Sequence, residues 1–297
     1  MPNDQAHDTR TTVAEDRVAA AVSLNVAGVA APLGGTPIER QFVIDINAVG
    51  GTLGGDVQDP SGVQNNKQVF TGDAGGTTYS DEIKFNGQNV LRYSVNQGST
   101  GFGTLGGNIA LNNCPGASRL YKGDEIWTRS AMFYPSASWV HNSGRNKFQR
   151  HRVYQANNDG SRGYLDTYTD GNQSIGSSIL WWIYEGKAQW LSSGDIGPMT
   201  FDEWHTIETY MKLDTVSVEN GGTARVIMWY DGIRVIDSTV RETLNADTDY
   251  LASSAQFLYY GNETAPRALH CYAKDFIVRS SPPPNVDADG FPFIGTI

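Results

Sequence analysis

Residues 224–238 read Ala-Arg-Val-Ile-Met-Trp-Tyr-Asp-Gly-Ile-Arg-Val-Ile-Asp-Ser. Two apolar runs, Ala224–Tyr230 and Ile233–Ser238, flank the pair Asp231-Gly232. An Asp-Gly pair tolerates the positive φ values of a type I′ turn, whose twist matches that of two antiparallel strands. The stretch therefore predicts a β-hairpin. Working outward, short apolar-alternating runs recur at Gln41–Ile46, Asn89–Val95, Glu125–Tyr134, Lys147–Tyr154, Tyr164–Thr169, Ile179–Tyr184, Ala188–Leu191, His205–Leu213, Gln256–Tyr260 and Tyr272–Arg279, separated by Gly, Asn and Asp turns. The 33 glycines and the 18% charged content agree with a turn-rich chain, and apolar runs at helical spacing are scarce. These features predict an all-β chain: a two-sheet antiparallel jelly-roll sandwich over 41–281, with an N-terminal extension over 1–40 and a C-terminal tail over 282–297 that begins at Pro282–Pro284. Length allows one large core.

The formal net charge of −10 argues against a nucleic-acid partner, because phosphate binding needs a basic surface. The start, MPNDQAHDTR, lacks the basic and then apolar pattern of a secretory signal. The Ala/Val stretch Val18–Ala31 is broken by Ser23, Asn25 and Gly28 and is too short to span a bilayer. Residues 1–40 thus read as an arm or tether, for a homo-oligomer or for capsid or tail proteins, and the expected location is extracellular or on a virion surface. Cys114 and Cys271 make either one disulfide or two thiols, and spacing alone leaves both open.

Against this acidic background one run stands out. Arg145-Asn-Lys-Phe-Gln-Arg-His-Arg152 holds four of the 22 Lys and Arg within eight positions. As a strand it alternates, so Lys147, Gln149 and His151 are expected on one face and Phe148, Arg150 and Arg152 on the other. A row of Lys, Gln and His can hold an anion and move a proton, which suits an acidic glycan. Tyr164, Asp166 and Tyr168 on the next strand are expected to line the same groove. Trp181, Trp182 and Trp190 offer flat faces for sugar rings, although adjacent Trp181 and Trp182 must point to opposite sides. Trp127, Trp204, Trp229 and His205 read as structural.

Several segments carry a family resemblance. Trp204-His-Thr-Ile-Glu208, Met211-Lys-Leu213, Arg225–Trp229, Asp231-Gly232 and Val235-Ile-Asp237 resemble the back-sheet hairpin of concanavalin A-like jelly rolls. Gly123-Asp-Glu-Ile-Trp-Thr-Arg129 with Phe133-Tyr-Pro135, and Ala273-Lys-Asp-Phe-Ile-Val278, are similar to the heparin lyase I-like group of polysaccharide lyases. The Glu-x-Asp-x-x-Glu strand of glycosidases with this fold is missing, so retaining hydrolysis on that pattern is not expected. Gln149-Arg150-His151 resembles the Gln-x-His strand of alginate lyases, and Arg129 stands as a counterpart of their Arg strand. The resemblance implies β-elimination, with Arg129, Gln149 and Lys147 neutralising a uronate carboxylate and His151 or Tyr164 moving the proton. No tyrosine among Tyr164, Tyr168, Tyr259, Tyr260 and Tyr272 is singled out by the family's pattern.

The expected catalytic set is His151, Gln149, Lys147, Arg129 and Tyr164, with Tyr168, Asp166 and Trp182 binding substrate. No cofactor is expected; Asp56, Asp59, Asp73 and Asp81, in Gly-rich loops, are candidates for structural calcium without regular ligand spacing. The leading functional expectation is a glycan-recognising jelly roll displayed on a particle or cell surface, with an acidic or neutral polysaccharide as partner. The alternatives are a polysaccharide lyase acting on uronate glycans and a purely structural decoration protein.

Overall fold

The computed structural model describes residues 41–57, 76–98, 100–101, 107–111, 119–139, 147–156, 160–169, 179–194, 196, 200–256 and 261–296. The arm over 1–40, Cys114, Asp59, Asp73, Tyr259 and Tyr260 lie outside them. In chain order the strands are β1 (Val43–Asn47), β2 (Thr77–Phe85), β3 (Gln88–Val95), β4 (Thr100–Gly101), β5 (Gly107–Ala110), β6 (Glu125–Phe133), β7 (Lys147–Tyr154), β8 (Ser161–Thr169) and β9 (Leu180–Tyr184). There follow β10 (Gln189–Ser192), β11 (Trp204–Lys212), β12 (Arg225–Tyr230), β13 (Ile233–Ser238), β14 (Tyr250–Gln256), β15 (Gly261–Thr264), β16 (Leu269–Arg279), β17 (Asn285–Val286) and β18 (Pro292–Phe293).

They form an all-β antiparallel sandwich of the jelly-roll class. The eight-stranded sheet runs β13-β12-β11-β6-β16-β3-β2, with β1 pairing the far half of β16; the six-stranded sheet runs β10-β9-β8-β7-β14-β5. Two hairpins obey the same turn chemistry. Asp231 and Gly232 have φ of 47° and 80°, and Asn86 and Gly87, between β2 and β3, have 47° and 79°. The Asn86-Gly87 turn lies just past the Gly-rich stretch that conceals β2 in the sequence. Of the run expected at Gln256–Tyr260 only Gln256 is described, as the last residue of β14, and 257–260 lie outside the described residues.

Alternation sorts each strand into core and surface. Ile126 and Met132 of β6, Ile207 and Met211 of β11, and Val226 and Met228 of β12 meet Val153, Leu165, Trp182 and Leu251 from the other sheet in one core. Cys271 is a buried free thiol in that core. The opposite parity of β6, β11 and β12 carries Trp127, Tyr210, Ile227 and Trp229 to the outer face of the eight-stranded sheet, where Phe291, Phe293 and Ile294 cover them. The expected tail is thus fastened to the sandwich. Trp127 donates to the Pro292 carbonyl at 2.9 Å, and Trp229 donates to Asp287 at 2.8 Å. Buried Glu208 accepts the backbone N–H groups of Ile294 and Gly295. Among the described residues no helix is long and apolar enough to cross a membrane.

Candidate functional site

The run that stood out in the sequence is β7, and its faces differ from plain alternation. The β7–β8 register shifts between Lys147 and Gln149: Lys147 lies opposite Tyr168, Gln149 opposite Thr167 and Arg150 opposite Asp166. A β-bulge places one extra residue on a strand and changes the parity on one side of it. Gln149 and His151 therefore face the interior while Lys147 joins Arg150 on the outer face. The expected trio of Lys147, Gln149 and His151 is split by this bulge.

The inward pair is sealed between the sheets. Gln149 donates to the Thr128 and Ile207 carbonyls and to Ser130 Oγ across the sandwich. His151 Nε2 lies 3.5 Å from Thr128 Oγ1, and its buried Nδ1 has no hydrogen-bond partner among the described residues. Burial drives the His151 pKa down to about 4, with only a partial opposing pull from Asp166. His151 is thus neutral and faces protein. Trp182 shares this interior, and the alternation puts Trp181 outside.

On the outer face Asp166 is the hub. Its carboxylate takes Arg150 in bidentate fashion, at 2.7 Å from Nε and 2.6 Å from Nη2, and Lys147 Nζ at 2.5 Å. Glu185 adds a second, half-exposed carboxylate 3.2 Å from Lys147 and 3.6 Å from Arg150. Two glycines hold Glu185 there. A Cβ on Gly186 would fall 1.8 Å from the Arg162 carbonyl, and one on Gly163 would fall 2.5 Å from the Gly186 nitrogen. The turn Glu185–Lys187 can therefore press directly on β8. Lys147 is 1% exposed and Asp166 0%, so this knot holds its members in place and leaves little of them for a ligand.

More accessible groups flank the knot. On one side Trp190, 40% exposed, meets Tyr168 and Trp181 edge to face at 6.0 and 6.2 Å. On the other, the Arg150 guanidinium sits 3.8 Å from the Tyr164 ring centre. Arg152 lies beyond, 5.7 Å from Tyr164 and 4.7 Å from Tyr154. Among the described residues Arg152 makes no ion pair, and its Nε is shut from solvent with no hydrogen-bond partner. A half-buried guanidinium held between two rings without a carboxylate is set to receive an anion.

The expected set is thus divided among three places. Lys147, Tyr164, Asp166 and Tyr168 gather on the outer face of the six-stranded sheet; Gln149, His151 and Trp182 lie between the sheets. Arg129 sits on the far side of the molecule, donating to Asp275 at 2.5 Å and to the Gly295 carbonyl at 2.8 Å. Tyr272, on β16, donates to Glu82 at 2.5 Å. Sequence reasoning passed over Arg150, Arg152, Tyr154 and Glu185. The signal for the first two was present: Arg150 and Arg152 share parity on β7, as Tyr164 and Asp166 do on β8. Among the described residues no three His, Cys, Asp or Glu converge as metal ligands.

No protein-family model matches the chain, and no curated protein matches it. Solved structures do. The alginate lyase Aly36B is similar over 80% of this chain and 96% of its own, at 16% identity and a TM-score of 0.53. The endo-beta-1,4-glucuronan lyase of the fungus Trichoderma reesei is similar over 81% and 95%, at 12% identity and a TM-score of 0.51. At such identity the likeness establishes a shared fold and leaves function to the site.

Proposed function

We propose that the protein is a polysaccharide lyase that cleaves uronate-containing glycans by β-elimination on the outer face of the six-stranded sheet. The observation that carries this reading is Arg152, a cation without a carboxylate among the described residues, framed by two tyrosines in a chain of net charge −10. The fold shared with a glucuronan lyase and an alginate lyase supports the choice of reaction. An Aly36B complex with an alginate tetrasaccharide has been solved with a lysine and a tyrosine each replaced by alanine; on this face Lys147 lies buried opposite Tyr168, and Tyr164, opposite Arg152, is the partly exposed tyrosine.

The chemistry follows from the charges. Removing the proton α to a uronate carboxylate moves an electron pair toward that carboxylate, and Arg152 neutralises it there. The Tyr164 phenolate oxygen takes the proton from C5 and becomes the phenol, the C5–H electron pair forms the C4–C5 double bond, and the C4–O bond to the next sugar breaks with its pair on the leaving oxygen. The leaving oxygen regains a proton from the phenol or from water. Lys147 and Asp166 hold Arg150 against the Tyr164 ring and so act as positioning residues. Gln149 and His151 keep the two sheets in register from inside.

Incubation with alginate, glucuronan and heparin, followed by ultraviolet absorbance of the conjugated unsaturated uronate, tests the reading. Steady growth of that band on one of them is expected, and its loss in Tyr164→Phe. Binding to uronate polymers without the band would leave a glycan-binding protein, and neither binding nor band would remove the glycan altogether.

A further inference from the structure

We infer that the substrate lane continues past Arg152 to Arg119, and that Arg119 selects for long polyanionic chains over short or neutral ones. This deepens the reading of the outer face as a glycan site, and rests on it. The lane is a ladder of alternating rings and guanidiniums. Arg150 covers Tyr164, Arg152 bridges Tyr164 and Tyr154, Tyr154 stacks on Tyr250 at 5.9 Å and 14°, and Arg119 caps Tyr250 at 4.4 Å. The register explains its continuity: Tyr250 of β14 lies directly opposite Tyr154 of β7, and Arg152 lies opposite Tyr164 of β8. Cross-strand neighbours of this kind touch on one face.

Three features make the ladder a lane for an anionic polymer as well as a packing device. Arg119 and Arg152 both lack a carboxylate partner among the described residues, although acids outnumber bases in the chain by 32 to 22. Tyr154, Arg152, Tyr164 and Arg119 are each only partly buried, while Tyr250, 1% exposed, joins Tyr154 to Arg119 from beneath and offers no ring face of its own. The lane is also long. Arg150 and Tyr154 stand four residues apart on one strand, about 13 Å, and Tyr250 with Arg119 extends it further. That exceeds one monosaccharide. Arginine reads a carboxylate as a fork, and a tyrosine face matches the apolar face of a sugar ring, so the alternation suits a repeating polymer of acidic sugars.

The test compares wild type, Arg119→Gln and Arg119→Lys with alginate oligomers of two to eight units, with binding measured by calorimetry and turnover by product absorbance. Wild-type affinity is expected to climb with length. Arg119→Gln is expected to weaken the longest oligomers about tenfold, the scale of one charge-assisted contact, and to leave the disaccharide unchanged. Arg119→Lys should restore part of the loss and keep a similar salt dependence. Equal affinity of wild type and Arg119→Gln for the long oligomers would overturn the inference, as would equal binding of a neutral β-glucan. Length-dependent binding without turnover would uphold the lane and reject the lyase. Turnover indifferent to Arg119 would uphold the lyase and reject the lane.

Discussion

Replacing Asp166 by Asn tests whether the outer-face knot is held by charge. The amide keeps the shape and removes the anion, so cavity terms drop out. Lys147 is 1% exposed and would lose its 2.5 Å partner; Arg150 would lose both of its bonds to carboxylate oxygens. Leaving a buried charge unpaired costs about 3–5 kcal/mol. Glu185 remains 3.2 Å from Lys147, but its side chain is 37% exposed and so screened, which favours the lower end, about 3 kcal/mol. For a domain of this size that corresponds to a Tm lower by about 6–12 °C. Lys147→Met should cost less, because Asp166 would keep its bidentate arginine. The double variant should be less unstable than the sum of the singles, with a coupling of about 1–3 kcal/mol. Urea titrations of the four proteins measure each quantity. A loss below about 1 kcal/mol in Asp166→Asn, or strict additivity in the double variant, would refute the reasoning about a buried ionic hub.

Two further outcomes are expected. Burial lowers His151 to about 4 and raises Glu208 to about 7, the latter against the Ile294 and Gly295 N–H groups and the charges of Arg129 and Arg279. Below its unfolded pKa of about 6.5, His151 binds its proton more tightly in the unfolded chain, so it makes stability fall as pH falls. Above its unfolded pKa of about 4.3, Glu208 holds its proton better when folded, so it makes stability fall as pH rises toward 7. The two slopes oppose each other between about pH 4.5 and 6.5. Glu208→Gln should unmask the histidine slope, and stability measured by urea titration should then rise by about 1.4 kcal/mol per pH unit across that window; an unchanged pH profile would contradict it. Separately, Asp287→Ala removes the acceptor of Trp229 and Arg234, so limited chymotrypsin digestion should cut at Phe291 or Phe293 while the sandwich still gives its native circular dichroism. Protection equal to wild type would show that the rings alone hold the segment.

The strands were legible where local chemistry is self-sufficient. Asp231-Gly232 defines a turn whatever surrounds it, and β7 and β13 begin and end where alternation places them. β2 was hidden because its strand character follows a Gly-rich approach, and β14 because Tyr250-Leu-Ala-Ser-Ser-Ala-Gln256 carries small polar residues on a weakly apolar pattern. The site was half legible. Tyr164, Asp166 and Tyr168 share parity on β8 and do share a face with Lys147. Gln149 and His151 matched a short motif, and no local signal announces the bulge that turns them inward. The placement of Arg129 was hidden for a tertiary reason: its partner Asp275 is 146 residues away, and its second contact comes from a segment that reads as a free tail.

The bulge at Lys147–Gln149 acts as a phase shifter. Lys147 on one side of it and Gln149–Tyr154 on the other keep two different even-odd clocks, so one inserted or deleted residue exchanges which set of side chains meets solvent and which meets the core. Two homologous strands could share the letters Gln-x-His and present opposite chemistries, one in a groove and one in a core. Aligning such strands by their letters would pair residues with no common environment; aligning them by the carboxylate that faces the next strand, as Asp166 faces Arg150, would keep the chemistry in step.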